Sequence, residues 1–164
     1  MTNAPSGRLV RSPDGDAVVV SRTFRAPIED VWASVTEPER TARWFGTWTG
    51  EAGPGRTIRV QMGFEDDSPW LDKRIDVCEA PRHVALANED GTMRIELLLT
   101  HRDGETELRL VHHLDPGDEI GAYGPGWEYY LDMLVASRDD LPTPDFEDYL
   151  AMSTYFENLE PDQP

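Results

Sequence analysis

Between Thr47 and Leu114 apolar residues recur at every second position, and after Pro125 they recur at every third or fourth. That change of period constrains the fold most. A period of two describes strands with one buried face, and a period of 3.6 describes a helix with one buried stripe. The runs Thr47–Glu51, Arg56–Phe64, Trp70–Glu79, Arg82–Glu89, Thr92–His101 and Glu105–Leu114 are separated by short turn signals such as Asp90-Gly91 and Asp103-Gly104. Short turns of that chemistry join antiparallel neighbours. A meander of this length has one large apolar face, and the stripe Trp127, Tyr130, Leu131, Leu134 and Val135 belongs to the only element long enough to cover it. The expected architecture is therefore α+β: a curved antiparallel sheet of about six to seven strands wrapped around a long C-terminal helix, here drawn from Pro125 to about Arg138.

Upstream, Ala17–Arg25 alternates Val18, Val20 and Phe24 on one face and reads as the first strand. Two short helices follow. The first runs over 27–35, with Pro27 leading and Ile28, Val31, Trp32 and Val35 at helical spacing. The second opens on the capping-box pair Thr36 and Glu39 and ends near Trp44. Residues 1–16 lack periodicity and read as a flexible arm. Residues 139–164 hold eight acids and no base and read as a partly helical extension: Thr143-Pro144-Asp145 opens it, and Phe146, Tyr149, Leu150 and Phe156 form its apolar stripe.

The chain of 164 residues is one domain with tails. Its net charge is −17, with 32 acids against 15 bases, which disfavours nucleic acid and anionic membranes as partners. No apolar run approaches the roughly 20 residues of a membrane span, and residues 1–16 carry no signal-peptide core, so a cytoplasmic location is expected. The single Cys78 excludes an intramolecular disulfide and a four-cysteine metal site, and no metal or cofactor is expected.

The stretch VVVSRTFRAPIEDVWASVTEPERTARWFG resembles the opening of the START-like, or SRPBCC, superfamily, and within it the group similar to the C-terminal domain of the Hsp90 ATPase activator. Arg22, Phe24, Ala26-Pro27, Val31-Trp32, Thr36, Pro38 and Trp44-Phe45 carry the likeness. VCEAPRHVAL and GPGWEYYLDMLVAS extend it, so that it covers about residues 17–138. The resemblance implies a helix-grip (Bet v 1-like) fold with an internal apolar cavity. Relatives bind lipids, polyketides or hormones, some catalyse cyclisation or hydrolysis, and others assist a chaperone.

A cavity in such a fold would be walled by aromatic and inward-facing residues. The candidates are Trp44, Phe45, Trp48 and Trp70 near loop ends; Met62, Phe64, Asn88 and His112 on strands; and Trp127, Tyr130 and Leu134 on the helix. Core packing is favoured for Trp32, and also for Trp127 despite its place among the candidates. Lys73 shares inward parity with Leu71 and Ile75. Cys78 falls on the face opposite Ile75 and reads as structural. His112 is the best acid–base candidate, because an inward histidine titrates near neutral pH. Gly50–Thr57 (GEAGPGRT) nearly fits the phosphate-loop template, but a strand pattern follows it rather than the required helix, so it reads as a turn. Glu65-Asp66-Asp67 reads as a solvated acidic run. Three functions follow: a binding module for an apolar or amphipathic small molecule, a cyclase- or hydrolase-like enzyme using His112, or a chaperone-linked interaction protein. The extension is a lid over the cavity mouth or a contact in a homodimer.

Overall fold

The computed structural model describes residues 4–13, 15–63 and 69–162. Its strands are β1 (Arg8–Ser12), β2 (Gly15–Phe24), β3 (Gly46–Thr49), β4 (Thr57–Met62), β5 (Trp70–Glu79), β6 (His83–Ala87), β7 (Arg94–Arg102) and β8 (Glu105–His113). They form one antiparallel sheet in the order β1-β2-β8-β7-β6-β5-β4-β3. The meander is as the alternation predicts, and the last strand returns to pair with β2, in register Val18↔His112 and Leu108↔Arg22. Eight strands form where six to seven were expected. The added strand is β1, inside the segment read as a flexible arm. Leu9 and Val10 pair with Val18 and Ala17, and the amide of Asp162 donates to the Leu9 carbonyl at 2.7 Å, which ties down this edge.

Helices α1 (Ile28–Thr36) and α2 (Pro38–Thr41) fill the connection from β2 to β3. The capping box does not form. Thr36 Oγ1 donates back to the Trp32 carbonyl at 2.7 Å, and α2 starts instead on Pro38, whose missing N–H costs nothing at a first helical position. α2 is accordingly one turn long, and only turns continue to Trp44.

Helix α3 (Ile120–Asp139) packs Leu131, Met133 and Leu134 against Val18, Val20, Leu97, Leu99, Leu108 and Leu110. Burial of each such side chain stabilises the fold by roughly 1.5–3 kcal/mol. The helix begins five residues before Pro125. A proline inside a helix orphans the carbonyl four residues back. That carbonyl belongs to Gly121, and Ser153 Oγ donates to it at 2.8 Å. The extension thus supplies the hydrogen bond that Pro125 removes.

The extension is a 3-10 helix (Phe146–Met152) followed by α4 (Ser153–Glu157), capped by Asp145 rather than Thr143. It lies along α3, and Phe156 is fully buried. No helix is long and apolar enough to cross a membrane among the described residues.

Candidate ligand cavity

Helix α3 covers only part of the sheet. Over the strands from β3 to β6, the short helices and the Trp44–Trp48 segment form the cover, and between cover and sheet lies a cavity of about 390 Å3. That volume suits a small organic molecule. Trp32, Val35, Thr41, Trp44, Phe45 and Trp48 form its roof, Ile58, Val60, Ile75, Val84, Leu86, Ile95 and Leu97 its sheet wall, and Leu110 and Trp127 its inner end.

Hydrogen bonds fix the tryptophans. Trp44 Nε1 donates to the Ser34 carbonyl at 2.9 Å and Trp48 Nε1 to the Thr36 carbonyl at 2.8 Å, so α1 orients both rings. Trp127 Nε1 donates to His112 Nδ1 at 3.0 Å. With these N–H groups satisfied by the protein, the three indoles offer ring faces to the void.

A second cavity of about 330 Å3 lies beyond Trp127, lined by Met62, Met93, Tyr123, Tyr129, Tyr130 and Phe146. Trp127 belongs to both walls, and Phe45 stacks near it with ring centroids 6.5 Å apart. Phe146 of the extension closes part of the second cavity's rim, standing edge-on to Tyr129 at 5.2 Å.

Of the sequence candidates, Trp44, Phe45, Trp48 and Trp127 line the first cavity, and Met62, Trp127 and Tyr130 the second. Phe64 lies outside the described residues, as does the run Glu65-Asp66-Asp67. Trp70 lines neither cavity. It is 38% exposed and carries the Arg59 guanidinium over its ring at 5.7 Å, because it pairs with Gln61 on the face of the sheet opposite Ile58 and Val60. Asn88 lines neither cavity and accepts from Lys73 Nζ at 2.6 Å, which satisfies the inward lysine. Burial lowers the pKa of Lys73, partly opposed by Asp90. Leu134 is core.

Two wall residues, Trp32 and Cys78, differ from their sequence reading, and a third, Glu37, had none. Trp32 was assigned to the core and lines the cavity. Glu37 is at the rim. Cys78 was placed on the opposite face, but the register shifts between Ile75 and Val77, and this bulge turns Cys78 inward beside Val84.

His112 lines neither cavity. It is fully buried behind Trp127 and Tyr123, whose ring centroid is 4.7 Å away. Accepting from Trp127 leaves Nδ1 without a proton, and Nε2 has no hydrogen-bond partner among the described residues. Burial lowers its pKa from 6.5, partly opposed by Asp118 and Asp115. A lowered histidine pKa means the unfolded chain binds more protons below about 6.5, so this group destabilises the fold as pH falls. In chemical denaturation the wild type is expected to lose more stability from pH about 7.5 to about 5.5 than His112→Gln, by at most about 1.4 kcal/mol per pH unit below 6.5. Glutamine still offers Trp127 an acceptor. Equal acid losses in both proteins would remove His112 as the source.

The family model described as Activator of Hsp90 ATPase homolog 1-like protein matches residues 25–137. The structure is similar to CalU16 from Micromonospora echinospora at 22% identity, covering 95% of this chain and 96% of that one with a TM-score of 0.71. It is also similar to the protein encoded by gene BPP1335 from Bordetella parapertussis at 21% identity, covering 99% and 95% with a TM-score of 0.73. DynU16, described as a putative protein in the dynemicin biosynthetic locus, shares 24% identity over 79% of this chain and 50% of that one, with a TM-score of 0.65. No curated protein matches the chain. At these identities the likenesses establish the helix-grip fold.

Proposed function

The chain belongs to the Activator of Hsp90 ATPase homolog 1-like family, and from that premise we propose that it binds an apolar or amphipathic small molecule between its sheet and its helices. The observation that carries this reading is the cavity of about 390 Å3, walled by tryptophan faces, with the N–H groups of Trp44, Trp48 and Trp127 already bonded to the protein. Side chains of that size would close the space if stability were their only role, since protein interiors pack without large voids. The likeness to a protein of a biosynthetic locus accords with a chamber of this kind. The cyclase- or hydrolase-like reading lacks support from His112, which is sealed from both cavities. The chaperone-linked reading rests on the family description alone.

Cys78 makes the test direct, because the chain's single thiol faces the void. The neutral probe N-phenyl-1-naphthylamine is expected to bind with a rise in fluorescence. A benzyl disulfide placed on Cys78 is expected to weaken that binding at least about tenfold, a loss of about 1.4 kcal/mol. Trp70→Ala is expected to leave the affinity unchanged. Undiminished binding after complete modification of Cys78, verified by intact mass, would remove the cavity as the site. Mass spectrometry of the purified chain, native and then denatured, would identify any molecule that travels with it.

A further inference from the structure

The cavity wall is mostly apolar, the threonine hydroxyls of Thr36 and Thr41 in it are bonded to backbone carbonyls, and it carries charge at one point. Among the described residues Glu37 is the only charged side chain that lines it. Glu37 joins α1 to α2 at the edge of the cavity, and its side chain is 54% exposed. Among the described residues no arginine, lysine or histidine lines the wall. Arg40, which does not line the cavity, pairs with Glu37, its Nε 3.7 Å from Oε1, and its NH1 is turned to Asp30 at 3.2 Å. Two exposed side chains at that separation form a weak pair, and the arginine is shared with a second carboxylate.

From this geometry we infer that the cavity selects by charge: its ligand is an apolar molecule bearing an amine or ammonium group, which Glu37 holds at the mouth. The inference rests on the cavity being the binding site. Independent features of the site converge on it. An anionic head group would face Glu37 with no base in the wall to pair it, which excludes fatty acids and aryl carboxylates. The faces of Trp32 and Trp48, close to Glu37 in the roof, attract a cation through their ring quadrupoles. The chain's charge of −17 enriches cations near every cleft of the surface and repels anions from it.

The experiment uses one apolar body with three heads: 1-naphthylmethylamine, 1-naphthalenemethanol and 1-naphthoate, titrated calorimetrically into the full chain at neutral pH and low salt. The amine is expected to bind about tenfold tighter than the alcohol, and the carboxylate at least about tenfold weaker than the alcohol. In Glu37→Gln, an exposed position that leaves the fold intact, the amine is expected to fall to within about twofold of the alcohol while the alcohol is unchanged. High salt is expected to narrow the wild-type preference. Equal affinities for amine and alcohol, or a preference for the carboxylate, would overturn charge selection and leave the binding reading standing. An amine preference that survives in Glu37→Gln would overturn the role of Glu37. Failure of all three probes to bind would overturn the binding reading, and charge selection with it.

Discussion

Arg22→Met is expected to destabilise the fold by about 3–5 kcal/mol, the cost of leaving buried carboxylates without their cation. Arg22 points from β2 toward α3, with Nε 3.0 Å from Asp132 Oδ1 and NH2 2.9 Å from Glu128 Oε1. The Glu128 side chain is 1% exposed. Glu128 also accepts from Ser6 Oγ at 2.8 Å and from the Gly7 amide at 2.9 Å, and Asp132 accepts from Tyr149 Oη at 2.6 Å. One arginine therefore joins the N-terminal segment, β2, α3 and the extension. Methionine preserves much of the side-chain volume and removes the charge, so the loss reads electrostatics and not packing. Adding Glu128→Gln is expected to restore part of the stability, because one uncompensated charge disappears. Urea denaturation with a shifted midpoint and an unchanged slope would register both effects. A loss under about 1 kcal/mol would show that the carboxylates find other partners or water.

What could be read from the residues was periodicity. The strands read from alternation form, and the parity of Val18, Leu97, Leu108 and Leu110 places them in the core as observed. Position along the sheet is harder. Trp48 and Trp70 both stand near turns, yet one roofs the cavity and the other meets solvent, because Trp48 pairs with inward Val60 and Trp70 with Gln61 on the opposite face, a pairing that turn position alone does not give. Single-residue irregularities also escape a pattern. The bulge after Ile75 inverts Cys78, and no residue type there announces it. Pro125 looked like a helix start because its proper partner, Ser153, is 28 residues away and takes over the bond to Gly121 only after the extension has docked. β1 was illegible for a related reason: Leu9 and Val10 are too short a pattern to signal a strand, and the edge forms because β2 and Asp162 receive its backbone groups. The tryptophans of the cavity were recognisable as candidates by type. The void between them is set by where backbones stop, which local pattern does not encode.

Phe156→Ala is expected to cost about 3–5 kcal/mol and to free the extension from α3. The ring is fully buried and lies against two glycines. A Cβ at Gly124 would come within 2.4 Å of it, and a Cβ at Gly7 within 2.5 Å. Gly124 sits inside α3, where replacing glycine by alanine ordinarily gains up to about 1 kcal/mol. Here the sign reverses: Gly124→Ala is expected to destabilise by about 1–3 kcal/mol, since the buried ring must move to admit the methyl group. Two variants on opposite sides of one contact thus make the same prediction for opposite reasons, a cavity in one and a collision in the other. Loss of the ring also withdraws Ser153 from Gly121 and Phe146 from the second cavity. Limited proteolysis of Phe156→Ala is therefore expected to cut within residues 140–160 before the sheet domain is touched. The first cavity takes no wall residue beyond Trp127, so binding of N-phenyl-1-naphthylamine there is expected to stay within about twofold of wild type while the folded state is populated. A protease pattern identical to wild type, or a stabilising Gly124→Ala, would mean that the extension is held by its polar contacts and not by this ring.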